Sequence, residues 1–426
     1  MTGPLSTTLA NGLRVVTVPL PHLHSAEVAV YLKVGGRNDP QGRTGLAHFL
    51  EHMLFRGTAE YVSSLEIEAA FESLGGCVNA ATDADSTCFF GRIHPCHAAQ
   101  GLAILASMLL RPRLEGVDLE RRIIGEEALQ DLSEEGEEIN PDVVVGRLLW
   151  PRHPLGGSAL GTLDDLARIT EKDLRQHLDA WYRPNNAVMV AAGPLEHQAL
   201  VAAAEACLGN WQPALLPEQR AVSLELPPGP AMALVKNPDS QVTVQLAFRS
   251  CRRDSSRLIT LKVLRRLLAG GGCSRLHLAL REKLGLVYSV DAGMGAFDET
   301  GCFSIDLSTA PENLMQVLEV TLSELLRIGE EPLPEQELER VKTVYLAELD
   351  YSRDSVTEMA VRYGWGLLMG VSRSIDEDQC LVREVTAQGV RRLAEELFRP
   401  DNRFLGVIGP VAGIDRQQLE TMLRSA

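Results

Sequence analysis

The sequence predicts an α+β fold of two homologous domains, each an α/β sandwich in which helices pack on one face of a mixed or antiparallel sheet. The first observation is a repeat, because residues 169–195 and 385–411 match at a constant offset of 216. The second is an echo of alternating apolar residues that relates 28–34 to 242–248 at an offset of 214. The third is that strands and helices come in runs, which favours this class over a doubly wound sheet.

Both copies of the repeat contain the same succession of elements. A polar helix leads into a turn, with Arg183-Pro184 in the first copy and Arg399-Pro400 in the second, and an apolar strand and a Gly-Pro pair follow. The proline-rich stretch between the copies predicts a semi-stiff linker. We therefore expect an N-terminal domain at 1–212, a linker at 213–230 and a C-terminal domain at 231–426.

Composition argues against several classes of function. The formal net charge of −16 disfavours a general nucleic-acid binder. No stretch approaches the roughly 18 consecutive apolar residues of a membrane span, and the first residues lack the pattern of a signal peptide. The eight cysteines are scattered without a Cys-x-x-Cys pair, which is typical of reduced thiols, so we expect a cytoplasmic protein.

The stretch His48-Phe49-Leu50-Glu51-His52 carries the most chemical information. Two histidines four residues apart share one face of a helix, so both imidazoles can reach one metal ion, and Glu51 can hold a water molecule beside it. The surrounding apolar residues recur at helical spacing, which predicts a largely buried helix that begins near Gly45 and ends near Gly57. Such a short pattern also arises by chance on a helix face, so the context has to decide.

A third metal ligand can come from the acidic helix that follows Asp118. A catalytic zinc site uses three protein ligands and leaves one position for water. Asp118 is placed to cap this helix. Glu120 and Glu127 share a face, Glu134 continues that line if the helix extends, and Glu126 points about a quarter-turn away. The spacing leaves all four glutamates open, and a solvated acidic helix face is the ordinary alternative.

The repeat supplies an internal control. At offsets of 210–216 the histidine motif maps onto 258–268, and that window contains neither histidine nor glutamate. Residues needed only for packing would more readily survive duplication as a pattern. Their absence from one copy therefore favours a site over a packing role.

Together these segments resemble the pitrilysin/insulinase family of inverzincin zinc metallopeptidases, which includes mitochondrial processing peptidases and insulin-degrading enzymes. The resemblance extends over nearly the whole chain and is that of a short, two-domain bacterial type. Residues 11–15 resemble the family's opening strand, 45–58 its signature helix, and 74–82 the edge strand that pairs with substrate. Residues 268–290 resemble a second-domain segment with an arginine and a tyrosine seven residues apart.

The resemblance implies one zinc ion per active site, held by His48, His52 and Glu127. It implies that Glu51 is the general base and that Glu120 supports the site as an orienting carboxylate. The activity it implies is a zinc-dependent endopeptidase that cleaves extended or unstructured peptides.

The resemblance also implies contacts with the substrate. Arg281 and Tyr288 would donate to the oxyanion that develops on the scissile carbonyl, whereas the residues alone indicate only a surface charge for Arg281 and a core residue of a strand for Tyr288. Asn79 and Ala80 would lie on the edge strand to which an extended peptide adds as a further strand.

Two domains make half of the family's clamshell chamber of four domains, so the resemblance implies a partner. That partner is a second copy in a homodimer or a paralogous two-domain chain in a heterodimer, and Arg281 and Tyr288 would then face the metal of the other subunit. Three other functions stay open. The chain could be a leader-peptide maturase that works with a paralogous partner, a non-catalytic family subunit, or a metal- or peptide-binding module without turnover.

Overall fold

The structure is a computed structural model that describes residues 3–219, 221–222 and 227–425. Arg220 and 223–226, which belong to the predicted linker, lie outside the described residues. The strands within the described part are β1 (Leu5–Thr8), β2 (Arg14–Pro19), β3 (Ala26–Leu32), β4 (Cys77–Thr82), β5 (Thr87–Ile93), β6 (Ala187–Gly193), β7 (Ala231–Lys236), β8 (Val242–Ser250), β9 (Val287–Ala296), β10 (Gly301–Thr309) and β11 (Phe404–Gly409).

The α-helices of the same ranges are α1 (Leu46–Leu54), α2 (Ser64–Glu72), α3 (Ala98–Leu110), α4 (Val117–Leu129), α5 (Pro141–Leu149), α6 (Leu163–Leu166), α7 (Glu171–Trp181), α8 (His197–Leu208), α9 (Leu258–Ala269), α10 (Leu314–Glu330), α11 (Glu335–Tyr351), α12 (Val356–Ala360), α13 (Gly366–Leu368), α14 (Ile375–Glu384), α15 (Ala387–Leu397) and α16 (Arg416–Arg424). A π-helical segment, Val361–Trp365, joins α12 to α13. None of the described helices is both long and apolar enough to cross a membrane.

Contacts divide the chain into two compact units. The predicted boundaries at 212 and 231 separate the two sheets, but two segments pack with the unit other than that of their own half. Residues 350–374 join the first unit and 129–157 join the second. Of the described residues, those within 3–128, 158–219 and 350–374 form the first unit, and those within 129–157, 221–349 and 375–425 form the second.

The first unit is built on a sheet with the strand order β1-β2-β6-β3-β5-β4. Its pairs are antiparallel except for β2 and β6, which run parallel. Val28, Val30 and Leu32 of β3 point into the apolar core that α1, α3 and α8 cover. The mixed sheet with helices packed on it confirms the predicted α+β class.

The second face of that sheet is also covered, which the alternation in 28–34 did not predict. Every residue of β3 is buried, so the expectation of a half-buried strand was wrong. The segment 350–374 accounts for this, because a Cβ placed on Gly364 would lie 2.6 Å from the side chain of Val190 and 2.8 Å from the ring of Tyr31. The backbone of a helix from the C-terminal half therefore lies in close contact with this sheet at Gly364.

The second unit repeats the arrangement with the strand order β7-β11-β8-β10-β9. Here α5, from the N-terminal half, packs on the sheet, and a Cβ on Gly406 would lie 2.7 Å from the Val145 side chain. Gly406 is the counterpart of Val190 at the repeat offset of 216. The glycine lies on the helix in the first unit and on the strand in the second, so each contact joins a small and a large residue.

The repeat is confirmed in detail and its offset is corrected at one place. Asn186 Nδ2 donates to Trp181 O at 2.9 Å, and Asn402 Nδ2 donates to Leu397 O at 2.8 Å, at the predicted offset of 216. Strand pairing places Tyr31 opposite Val188 and Ala247 opposite Phe404, so β3 and β8 are also related by 216 rather than 214. A shift of two residues is invisible in an alternating pattern, because it returns every side chain to the same face.

Candidate metal centre

The motif helix forms where the sequence predicts it, as α1, and every residue except His52 is buried. Its N-terminus is anchored by Asp39, whose carboxylate accepts from the backbone N–H groups of Gly45 at 2.7 Å, Leu46 at 3.1 Å and Ala47 at 2.9 Å. A carboxylate satisfies these otherwise unpaired donors and complements the helix dipole. The position of the motif in the unit is therefore fixed from its first turn.

His48, His52 and Glu127 gather their ligand atoms in one place. The Glu127 carboxylate lies 3.9 Å from His48 Nε2 through Oε1 and 3.7 Å from His52 Nε2 through Oε2. The three ligand atoms lie within 4.8 Å of one another, and they form the only such group of three or more metal-ligating side chains in the described ranges. Two histidines one helical turn apart thus face a carboxylate from α4.

The spacing of these atoms is near that of a zinc site. Bonds of about 2.1 Å in a tetrahedral site place neighbouring ligand atoms about 3.4 Å apart. The separations of 3.9 and 3.7 Å, which involve different oxygens of Glu127, exceed this value by a few tenths of an ångström, and the whole set lies within 4.8 Å. The Glu127 side chain is 42% exposed, so it has room to make that adjustment.

Glu120 makes a hydrogen bond to His52 through Nδ1, the ring nitrogen that is not near Glu127. Its Oε1 lies 2.8 Å from His52 Nδ1, and its Oε2 forms an ion pair with Arg56 Nε at 2.5 Å. A carboxylate accepts only, so His52 Nδ1 carries a proton, and in the neutral imidazole the free lone pair is that of Nε2, on the side of Glu127. His48 differs, since its buried Nδ1 has no hydrogen-bond partner among the residues that the structure describes.

Glu51 lies beside this cluster with its carboxylate held by a hydroxyl. The side chain is buried, and Oε2 accepts from Thr82 Oγ1 at 2.5 Å. Thr82 is the last residue of the edge strand β4. The motif helix and the predicted substrate strand therefore meet directly at the candidate base.

Burial and charge set the protonation states of the cluster. Burial, with a smaller effect of His52, lowers the pKa of His48 to about 4, so its imidazole is neutral near pH 7. Burial raises the pKa of Glu51, against the opposing effects of the Thr82 hydrogen bond and of His52. Burial lowers the pKa of His52, but the Glu120 hydrogen bond and the carboxylates of Glu51 and Glu127 outweigh it, so the net shift is upward.

The other acidic residues near α4 lie away from the cluster. Glu126 is exposed, and Glu134 lies beyond the end of the helix at Leu129. Asp118 lies inside the first turn rather than at the cap, since the helix begins at Val117, and its carboxylate pairs with Arg121. The prediction that Asp118 caps this helix was therefore wrong, because Asp118 is the second residue of the helix and not the residue before it.

Asn79 and Ala80 lie on β4, at the edge of the first sheet. Among the strands of the described residues β4 pairs only with β5, so within that part of the chain its other side has no strand partner for its backbone donors and acceptors. Asn79 is exposed, and Ala80 packs partly against the core. An edge of this kind is able to accept a further strand.

Arg281 and Tyr288 lie in the second unit and contact each other. The Arg281 guanidinium carbon is 5.4 Å from the centre of the Tyr288 ring. Arg281 lies in the π-helical segment His277–Lys283, and Tyr288 lies on β9, which is an edge strand. Tyr288 is 83% exposed, so it is a surface residue and not a core residue of the strand.

Sequence patterns assigned no role to three residues that position the cluster, which are Thr82, Arg56 and Asp39. Thr82 belonged to the recognised edge-strand pattern, and Arg56 to the signature helix, but nothing in their spacing indicated a carboxylate partner. Asp39 had no usable signal, because a typical cap residue directly precedes its helix and Asp39 lies six residues before Gly45.

Comparison with known families agrees with this geometry. Residues 14–162 match the family described as Insulinase (Peptidase family M16), and 168–345 match the Peptidase M16 inactive domain. The chain is 30% identical to an uncharacterized zinc protease of Mycobacterium tuberculosis, over 96% of this chain and 93% of that relative. The chain therefore belongs to the M16 family of insulinase-like peptidases, which confirms the resemblance drawn from its motifs.

Solved structures share the fold along the whole chain. A protease from Helicobacter pylori superposes with a TM-score of 0.88 at 22% identity, covering 96% of this chain and 99% of that one. A peptidase M16 inactive domain from Pseudomonas fluorescens superposes with a TM-score of 0.84 at 20% identity, covering 97% and 100%. The fold is thus common to proteins described as a protease and as an inactive domain, so the site itself must decide the function.

Proposed function

We propose that this chain is a zinc-dependent endopeptidase that cleaves extended or unstructured peptides. The observation that carries the proposal is the convergence of His48 Nε2, His52 Nε2 and the Glu127 carboxylate within 4.8 Å, with Glu51 beside them. Relatives named zinc proteases support zinc as the metal. Scattered free thiols support a cytoplasmic location.

Zinc, when bound at this site, supplies Lewis-acid chemistry that activates water and polarises the scissile carbonyl. His48, His52 and Glu127 would hold it, and Glu120 keeps His52 in the tautomer that presents Nε2. Glu51 would take the proton of the attacking water and later deliver it to the leaving amine. A buried carboxylate with a raised pKa suits a group that has to both accept and release a proton.

The substrate would add as a strand to β4, along Asn79 and Ala80, through main-chain hydrogen bonds. Such pairing recognises an extended backbone more than particular side chains. Tyr288 and Arg281 would donate to the developing oxyanion, and removing one such donor typically lowers the rate on the order of 10²–10³-fold.

We propose a dimer, with a second copy or a paralogous chain, in which Tyr288 and Arg281 serve the metal site of the other subunit. Mixing Glu51→Gln subunits with Tyr288→Phe subunits tests this arrangement in a homodimer. A site shared between subunits restores one intact centre in each mixed dimer, so activity returns. Mixed dimers that stay as inactive as the parent variants would rule out the shared site.

The experiment that tests the function compares neighbouring residues on α4. We expect Glu127→Gln to lose zinc and to lose cleavage of a fluorogenic peptide library, whereas Glu126→Gln, at the exposed neighbouring position, keeps both. Glu51→Gln should keep zinc and lose cleavage. If the zinc-loaded chain cleaves no peptide alone or with a paralogous partner, the endopeptidase proposal is wrong and a non-catalytic role is favoured. Cleavage of a single precursor, only with a paralogue, would favour the leader-peptide maturase.

A further inference from the structure

We propose that Thr82 is a positioning residue that orients the Glu51 carboxylate from the edge strand β4. The inference deepens the proposed peptidase function and rests on it for its kinetic consequence. The candidate base belongs to α1, whereas its hydrogen-bond donor belongs to the strand on which a peptide would dock. Two different elements therefore determine where the base points.

The hydrogen bond follows from a count of protons. Thr82 Oγ1 lies 2.5 Å from Glu51 Oε2 and 3.4 Å from Thr87 Oγ1. The Thr87 hydroxyl donates its own proton to Val34 O at 2.8 Å, so it has none for Thr82. Thr82 also has one proton, and an ionised carboxylate at the shorter distance is the stronger acceptor. Glu51 Oε2 is thus engaged, which leaves Oε1 as the oxygen available to a water molecule.

The end of β4 is itself held in place, so Thr82 is a fixed donor. Thr82 pairs with Thr87 across the hairpin. In the turn that follows, Asp83 Oδ1 accepts from the backbone N–H groups of Asp85 at 2.8 Å and Ser86 at 2.7 Å. A donor on a rigid hairpin restricts the rotamers of a carboxylate better than solvent does, and positioned groups are what general base catalysis requires.

The test uses three variants of the zinc-loaded protein with a fluorogenic extended peptide. Thr82→Val keeps the shape of the side chain and removes the donor, so we expect kcat to fall about 10- to 100-fold, as for loss of a hydrogen bond to a charged group. KM and zinc content should stay at wild-type values. Thr82→Ser restores the hydroxyl and should recover most of kcat. Thr243→Val, the same change on β8 in the second unit, should leave kcat unchanged.

The outcomes separate this proposal from the proposed function. A Thr82→Val variant with wild-type kcat overturns it, and so does a Thr82→Ser variant that is as slow as Thr82→Val, because the loss would then come from packing. If wild-type protein has no peptidase activity, the proposed function fails, and a crystal structure of Thr82→Val still decides the positioning. We expect Glu51 to occupy more than one rotamer there, and a single rotamer with unchanged carboxylate oxygens would refute the claim.

Discussion

Replacing Glu120 by alanine removes two contacts of its carboxylate, one with His52 and one with Arg56. One is the 2.8 Å hydrogen bond between His52 Nδ1 and Glu120 Oε1, and the other is the 2.5 Å ion pair between Arg56 Nε and Oε2. The Glu120 side chain is 6% exposed, so water does not readily replace the lost carboxylate. His52 then lacks the acceptor that fixes its tautomer, and Arg56 lacks its counter-ion.

The two losses have different magnitudes. Outer carboxylates that orient a ligating histidine are typically worth about 10- to 100-fold in metal affinity, or about 1.4–2.7 kcal/mol. Breaking a fully buried ion pair costs about 3–5 kcal/mol. Because the Arg56 side chain is 21% exposed, we expect a smaller loss of stability, about 1–3 kcal/mol. Glu120→Gln keeps an acceptor for His52, so it should lose less zinc affinity than Glu120→Ala.

The assay is competition for zinc with a chromophoric chelator at pH 7.5, together with urea unfolding of the metal-free protein. Glu126→Ala is the matched control, since Glu126 is an exposed glutamate on the same helix. We expect its zinc affinity to equal that of the wild type. If Glu120→Ala binds zinc within about twofold of the wild type, the orienting role assigned to Glu120 is wrong.

Three further predictions concern stability and are measured by urea unfolding. Gly364→Ala should lower the free energy of unfolding by about 1–3 kcal/mol, because the new methyl would lie 2.6 Å from a valine side chain. The control Gly125→Ala, with open space around its Cβ, should raise it by about 0.5–1 kcal/mol. Equal effects of the two variants would contradict the close packing at Gly364. Burial lowers the pKa of His177 to about 4, so below about pH 6.5 the imidazole is protonated in the unfolded chain but neutral in the folded state. As the pH falls from 7.5 to 5, the free energy of unfolding of the wild type should therefore fall by about 2 kcal/mol relative to that of His177→Leu. A difference between the two proteins that does not change with pH would refute this. Arg266→Ala should lower the free energy of unfolding by about 1–3 kcal/mol, since the Arg266 side chain is 13% exposed and pairs with Glu348 at 2.5 Å. Its zinc affinity should stay at the wild-type value. Loss of zinc binding would contradict the assignment of the metal site to the first unit.

The sequence predicted the motif helix because several independent signals coincide there. Apolar spacing, a flanking glycine at each end and the histidine pair all indicate one helix between Gly45 and Gly57, which is found as the shorter, nine-residue α1 (Leu46–Leu54). The repeat predicted the strands β6 and β11 equally well, since its offset is constant and the turn residues are specific. Local structure is predictable where pattern and turn chemistry agree.

The exchange of segments between the two units was not predictable from such patterns. Periodicity indicates that one face of a helix is buried, but it does not indicate which sheet covers it. Residues 350–374 follow the second-half strands in sequence and yet pack on the first sheet. The same limit applies to Asp39 and Thr82, whose partners come from elsewhere in the fold and not from neighbouring residues.

The second unit carries different side chains at the positions that correspond to the histidine motif. Gly57 and Gly271 both have a φ of 138° just beyond α1 and α9, which relates these helices at an offset of 214. At that offset three cationic residues take the positions of the motif: Lys262 for His48, Arg265 for Glu51 and Arg266 for His52.

These cations make direct contacts where the first unit gathers ligand atoms. Arg266 pairs with Glu348 of α11 at 2.5 Å and lies 3.6 Å from the centre of the Tyr345 ring, while Arg265 Nη1 lies 3.5 Å from Ala292 O on β9. A side-chain cation thus joins α9 to a carboxylate on another helix, as Arg56 beside α1 is joined to Glu120 of α4 in the first unit. Positive charge at all three motif positions also repels a divalent cation. The two units therefore carry different polar side chains at corresponding positions of one helix, and the same fold accommodates both sets.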